Sequence, residues 1–434
     1  MRRLLGILGT GALLLTAACG VTSTAPPKLT PPAEPPPKPT VEEAAKFDAA
    51  VDLFVAHDKK NDWTPAVCAE VVAAFDAVPR NAQALYDAGL AYQRCSDDRN
   101  AQAKLEAALV VNPKLHHARA QLALYRYKSD GNKDAAIGAL QQAVADAEFR
   151  NVPALVDLAA VQMARDSAQG GTGCKDDMDC AKLNLQRALA IDETFMPASN
   201  QLALYYLQLA RKRAGGGKKA DVQQLELAAL VCSQAIKRNP SYAPIHNTAG
   251  LIENALSHVN GAVSEFRQAA ELDPRFFEAH MNYAAVNLGF RGFKQAEQAY
   301  RHALEIRPND YDAHLGLSLA LRGPITGAET NYEDLVRAAQ AELDAAKRID
   351  PNRADAYYNE GILTQEFKAK AGGDKAKTIA TLEDAKKSFN TFLAKASNKP
   401  EYADAVKRVR GDRASDGSDT GRLKEIDVAI DFLK

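Results

Sequence analysis

The chain has 434 residues, and its 54 Lys and Arg nearly cancel 55 Asp and Glu to leave a net charge of -1. That balance argues against a bulk electrostatic grip on nucleic acid or anionic lipid, so partners must be found by local surfaces. Aromatics are only 7 %, Ala, Leu, Glu, Lys and Arg dominate, and β-branched runs are scarce, a composition that predicts an all-α fold. At the N-terminus Arg2 and Arg3 precede an apolar run from Leu4 to Leu15 that ends in Thr16, Ala17, Ala18 and Cys19. This is the layout of a secretory signal over residues 1–18. A run of about a dozen residues is too short for a membrane span, which needs roughly 20, and no later segment supplies one.

Cys19 directly after two small residues resembles the bacterial lipobox, whose cysteine is lipidated and becomes the new N-terminus; Thr16 departs from the aliphatic residue usual there. The plainer alternative is an ordinary signal peptide cleaved near Ala18. Gly20, and not Asp, follows the cysteine, and the resemblance then implies a protein held in the outer membrane by its lipid alone, facing the periplasm. Residues 19–40 continue as a proline-dense linker that neither helix nor sheet hydrogen bonding tolerates. In polyproline form at about 3.1 Å per residue, Pro26 to Pro39 spans roughly 40 Å as a tether.

Over residues 41–400 the chain repeats. Pro240, Pro274 and Pro308 are 34 residues apart, as are Pro79 and Pro113. Between the prolines one pattern recurs: His246, Ala249, Gly250, Ala262, Phe266 and Ala269 in one unit, His280, Tyr283, Ala284, Ala296, Tyr300 and Ala303 in the next, and Leu85, Ala88, Gly89, Tyr92, Ala101, Leu105 and Ala108 earlier. Period and pattern resemble the tetratricopeptide repeat (TPR), in which two short helices form a hairpin that stacks on its neighbours. The resemblance implies a TPR-type α-solenoid of about nine helical hairpins. Less regular units are placed by their helix-ending phrases, Leu189 to Thr194 and Lys347 to Pro351. Insertions at Gly170–Cys180, Arg211–Asp221, Arg322–Thr330 and Lys368–Lys377 are expected at the turn within a hairpin, either as tolerated variation or as a docking edge. Residues 401–434 read as capping helices with a flexible loop between them. In the last helix Leu423, Ile426, Ile430 and Leu433 share one face, suited to closing the solenoid or to detaching toward a partner.

Once Cys19 is set aside, five cysteines remain. Cys174 and Cys180 fall in one insertion, where a disulfide would staple the loop. In a TPR stack, Cys68 and Cys95 would lie at the same level of neighbouring hairpins, which makes a second disulfide reasonable. Cys232 takes the core slot of Phe266 and is expected to be buried. Metal binding by the cysteines with Asp176, Asp177 and Asp179 is the alternative, without CxxC spacing to support it. His246, His280 and His314 recur at 34-residue intervals, yet stacked layers about 10 Å apart cannot share one metal ion, so they are read as packing residues. No HExxH, GxSxG, dinucleotide fingerprint or complete phosphate-binding loop is present, and no cofactor is implied. The chain is not expected to be an enzyme.

Binding is instead expected on the first helix of each hairpin. There the family resemblance implies that Asn282 and Asn359, with Asn247 one place earlier, hold a ligand backbone, while Leu251, Met281, Leu315 and Leu319 line an apolar groove. Asn282→Ala is accordingly expected to spare stability and weaken a partner. Lipobox, proline tether, irregular repeats with a cysteine-bearing insertion and a C-terminal helix together resemble the outer-membrane TPR lipoproteins of the myxobacterial gliding-motility complex. That resemblance implies a scaffold for envelope proteins, including outer-membrane β-barrels and periplasmic motility proteins. Alternatives are a TPR lipoprotein of type IV pilus assembly, peptidoglycan-synthesis regulation or outer-membrane assembly, and, from another class, an envelope-polymer hydrolase with a carboxylate pair converging in the groove.

Overall fold

The computed structural model describes residues 40–434 apart from 61, 172, 214–220, 328–329, 370–373 and 414–418, so the signal segment, Cys19 and the proline linker lie outside the described residues. The described chain forms two compact units. The unit ending at Arg238 contains five hairpins. These pair α1 (Val41–Lys60) with α2 (Pro65–Asp76), α3 (Ala82–Arg94) with α4 (Asp98–Val111), and α5 (His116–Asp130) with α6 (Lys133–Asp146). Next come α7 (Val152–Arg165) with α8 (Asp177–Ile191), and α9 (Met196–Arg213) with α10 (Val222–Arg238). The unit beginning at Asn239 has four: α11 (Ala243–Ala255) with α12 (Val259–Leu272), α13 (Phe277–Gly289) with α14 (Phe293–Ile306), α15 (Tyr311–Arg322) with α16 (Tyr332–Ile349), and α17 (Asp355–Leu363) with α18 (Lys375–Ala396). Then α19 (Ala403–Arg410), a short antiparallel pairing of Asp412–Arg413 with Asp419–Thr420, and α20 (Arg422–Leu433) complete it. The protein is all-α, its helices arranged as TPR-type solenoid hairpins, and all four insertions fall where the first helix of a hairpin passes to the second, their ends running into the flanking helices.

The Asx-Pro phrases that punctuate the sequence have a direct local cause. A residue before proline is pushed out of the helical region by the pyrrolidine ring. Asn112, Asp273 and Asp350 accordingly end their helices in extended conformation, near φ -134°, -133° and -139°. Each side chain then accepts a hydrogen bond from the amide two residues on, in Lys114, Arg275 and Asn352, at 2.9 to 3.0 Å. Asn239 and Asp192 make the same turn with Ser241 and Thr194. The next first helix is often capped in turn: Asn81, Asn151 and Asp310 each accept from amides of the first turn.

The second helices carry buried alanines seven apart, Ala101 and Ala108, Ala181 and Ala188, Ala262 and Ala269, Ala296 and Ala303, Ala339 and Ala346. Two turns of helix separate the members of each pair, so both fall on one face, and the short side chain lets the partner helix approach. Four residues after the first alanine comes the core plug: Leu105, Leu185, Cys232, Phe266, Tyr300, Leu343 and Phe389 are all buried. The close fit explains the glycines opposite. A Cβ on Gly250 would lie 2.6 Å from the Phe266 ring, and one on Gly361 would lie 2.6 Å from Phe389. At the chain end, Ile426 and Ile430 of α20 share a buried cluster with Phe389, Phe392 and Leu393 of α18 and Val409 of α19. Arg422 ties α20 back to Glu366, which sits in a π-helical turn, Thr364–Lys368, that extends α17.

Candidate functional site

The first helices meet the expectation of a ligand groove differently in the two units. In the unit from Asn239, neighbouring first helices touch directly, α11 on α13, α13 on α15 and α15 on α17. Leu251 is buried, Met281 and Leu315 are buried in one core cluster, and Leu319 is partly buried against that cluster, so the side chains named for the groove serve packing in the unbound chain. Asn282 is only 2 % exposed and donates Nδ2 to Oδ1 of Asn247 at 2.8 Å. Each amide thus meets the other. In the unbound chain these positions are thus occupied by helix packing and by the Asn282–Asn247 bond. Asn359 is turned onto its own helix, donating to the Asp355 carbonyl at 2.9 Å, while the half-buried Arg322 guanidinium comes to 3.4 Å from its two oxygens. Burial holds the Arg322 pKa below the usual guanidinium range.

The histidine series has a uniform explanation. His246, His280 and His314 each place Nε2 within 2.9 to 3.0 Å of the carbonyl oxygen of the proline six residues earlier, Pro240, Pro274 and Pro308. Arg119 reaches the Pro113 carbonyl at 2.6 Å and Tyr357 the Pro351 carbonyl at 3.2 Å, again six residues back. The slot is therefore a donor position that ties each first helix to the turn before it. A proline carbonyl left buried and unmet would cost what an orphaned acceptor costs. The other ring nitrogen is free to take a carboxylate, Glu265 at 2.7 Å from His246 and Glu342 at 2.5 Å from His314. Glu342 raises the pKa of His314; burial lowers that of His280, which faces His302.

Sequence reasoning passed over a second set of residues, in the unit ending at Arg238. Asp87 and Asp157 stand six residues after the capping asparagines Asn81 and Asn151, in the matching phrases NAQALYD and NVPALVD. Gln121 of α5 occupies the same slot six residues after the cap residue Leu115. All three are partly buried. Asp87 accepts one hydrogen bond, from Gln83 Nε2 at 3.1 Å, and Asp157 has no hydrogen-bond or ion-pair partner among the described residues. Burial raises both carboxyl pKa values, Asp87 to about 6 and Asp157 to about 7. Burial likewise raises the Tyr86 hydroxyl to about 12, and that hydroxyl feels both carboxylates. The Tyr86 ring stands 6.0 Å from His117, whose charge is disfavoured first by burial and then by His116. The spacing signal was in the sequence: two acids at the same distance from two Asn caps.

The cysteines fall where disulfides are feasible. Cys68 and Cys95 have Cα atoms 6.3 Å apart, and Cys174 and Cys180 5.0 Å apart. Near the second pair Asp177 is fully buried, with its oxygens taken by Arg165 at 2.6 and 2.8 Å and by the Ser167 amide at 2.8 Å. Burial alone would raise its pKa, yet the Arg165 bonds outweigh it and hold the carboxyl below its usual range. Asp176 caps α8 by accepting from the Asp179 amide. These acids are thus spent on closing the insertion.

No protein-family model matches the sequence, and no curated protein matches it. Among solved structures the chain is similar to a thermophilic TPR protein of Thermus thermophilus, at 25 % identity and TM-score 0.40, over 48 % of this chain and 98 % of that one. It is similar to YrrB, a TPR protein with an unusual peptide-binding site, at 18 % identity and TM-score 0.35 over 51 % of this chain and 97 % of that one. The human IFIT1 dimer with m7Gppp-AAAA is similar at 16 % identity and TM-score 0.44, over 82 % of this chain and 88 % of that chain.

Proposed function

We propose that this protein is a non-catalytic scaffold, anchored in the outer membrane through a lipid on Cys19, that binds other envelope proteins through its helical hairpins as part of a gliding-motility complex. The observation that carries the reading is the set of nine hairpins among the described residues, five in one unit and four in the other, whose apolar faces are committed to stacking and whose outer faces offer surfaces to partners. Lipobox and proline tether support the anchoring, and the overall layout of the sequence supports the motility assignment. Partners are envelope proteins, outer-membrane β-barrels and periplasmic motility proteins among them.

A hydrolase of envelope polymers would need two carboxylates about 5 to 10 Å apart across a scissile bond. Asp87 and Asp157 stand on α3 and α7, two hairpins apart with α5 between them, and neighbouring helices pack about 8–10 Å apart. That spacing suits contacts along an extended partner better than a bond-cleaving pair.

Crosslinking in living cells, with the wild type beside Cys19→Ala and mass spectrometry of the captured proteins, tests the scaffold. Capture of motility and other envelope proteins that diminishes in Cys19→Ala supports it. No capture, with the variant behaving as wild type, overturns it.

A further inference from the structure

The face formed by α3, α5 and α7 presents acceptors in one repeated slot: Asp87, Gln121, Asp157. It is continuous by contact, since Tyr86 meets His117 across α3 and α5, and His116 Nδ1 lies 3.0 Å from Asn151 Nδ2 between α5 and α7. Three arginines of these helices are engaged with other acids. Arg94 pairs with Asp58, Arg119 with Asp146, and Arg165 with Asp134 and Asp177. His117 is held neutral by its surroundings. Yet the acids are not sealed in: Asp87 and Asp157 are both partly exposed residues.

A carboxylate drawn partly out of water with no partner costs free energy in the unbound protein, and that cost is recovered when a cation arrives. We propose that this face is a docking site for an extended basic segment of a partner protein, whose lysine or arginine side chains are received by Asp87 and Asp157 beside the Tyr86 ring. The repeated slot sets the geometry. Acceptors on successive helices recur about every 8–10 Å, and alternate residues of an extended chain recur about every 7 Å on one side. Cations placed along such a segment can therefore meet Asp87 and Asp157 while the Gln121 amide meets its backbone. Tyr86 adds a π face for one of them. The inference rests on reading the hairpins as a protein-binding scaffold and names the chemistry of one partner.

The test is fluorescence anisotropy of the full chain with a labelled peptide of about ten residues alternating arginine and serine, beside its glutamate–serine counterpart. The arginine peptide is expected to bind, to weaken as salt rises, and to lose about tenfold in affinity in Asp157→Asn and again in Asp87→Asn. Glu106→Gln, on an exposed helix surface of the same unit, should bind as wild type. The Asn variants should melt no lower than wild type, which separates lost docking from lost folding. Equal binding of the glutamate peptide, absence of arginine-peptide binding, or unchanged affinity in both Asn variants overturns the site. Should the peptide fail to bind while crosslinking in cells still captures envelope proteins, the docking site falls and the scaffold reading stands.

Discussion

At the scale of single residues, the bond from Asn282 to Asn247 reverses one expectation drawn from sequence. Removing the Asn282 amide leaves Oδ1 of Asn247, a residue only 9 % exposed, without its donor. Asn282→Ala should therefore cost about 1–3 kcal/mol, a fall in melting temperature of several degrees by calorimetry, where the groove reading expected none. Tyr300 offers the opposite case. Its hydroxyl is buried without a partner among the described residues, while Phe266 fills the equivalent slot in the preceding hairpin. Tyr300→Phe removes an unmet polar group and should raise stability by about 1 kcal/mol in urea unfolding. Neither outcome is legible in the sequence. The 34-residue period says that Asn282 and Tyr300 occupy named slots, but whether a slot is wet or dry depends on how closely neighbouring helices approach. That approach depends on pairs such as Gly250 and Phe266, which a linear pattern does not weigh.

At the scale of elements, hairpins were the most legible feature. Asx-Pro turns, paired alanines and the plug residue all act within one or two helical turns, so the local sequence states them in full. The docking of α20 rests on longer-range matching. Its apolar stripe predicted a buried face, and Ile426 and Ile430 do insert against Phe389 and Phe392. Ile426→Asp places an unpaired charge in that cluster and should cost at least about 3 kcal/mol, most of it local to α17–α20. Hydrogen exchange read by mass spectrometry checks this: amides of α18 should lose protection in the variant while those of α11 and α12 keep theirs. Uniform loss of protection from Asn239 onward would mean that the end helices are not a separable cap.

For the whole molecule, the face on α3, α5 and α7 couples stability to pH. Asp157 and Asp87 hold their protons in the folded state up to about pH 7 and about pH 6, whereas both are near 3.8 when exposed. The folded state thus binds more protons than the unfolded state between about pH 4 and pH 7, and stability falls as pH rises through that window. The Tyr86 hydroxyl interacts with both Asp157 and Asp87, and none of these three groups supplies a cation to offset the loss. Melting temperature should drop by several degrees from pH 5 to pH 8, and Asp157→Asn should flatten part of that slope. A slope identical in wild type and variant would show that Asp157 does not titrate in this range. The paired phrases NAQALYD and NVPALVD announced the two acids. What they could not announce was that Arg94, Arg119 and Arg165 would each be engaged elsewhere, because those partners come from other helices.

The donor that reaches back to a proline carbonyl is filled by histidine three times, by arginine at Arg119 and by tyrosine at Tyr357. What the turn demands is reach and a hydrogen to give, not a residue type, so the position tolerates drift that would look random in an alignment column. It amounts to a spelling rule: proline, five arbitrary letters, then any long side chain bearing N–H or O–H. Where Pro79 is followed six places on by Leu85, the rule is broken and the side chain has no hydrogen to give. Scanned along divergent sequences, the rule would register hairpins whose consensus letters have eroded, and installing a histidine at Leu85 would transplant the same fastening into a joint that lacks it.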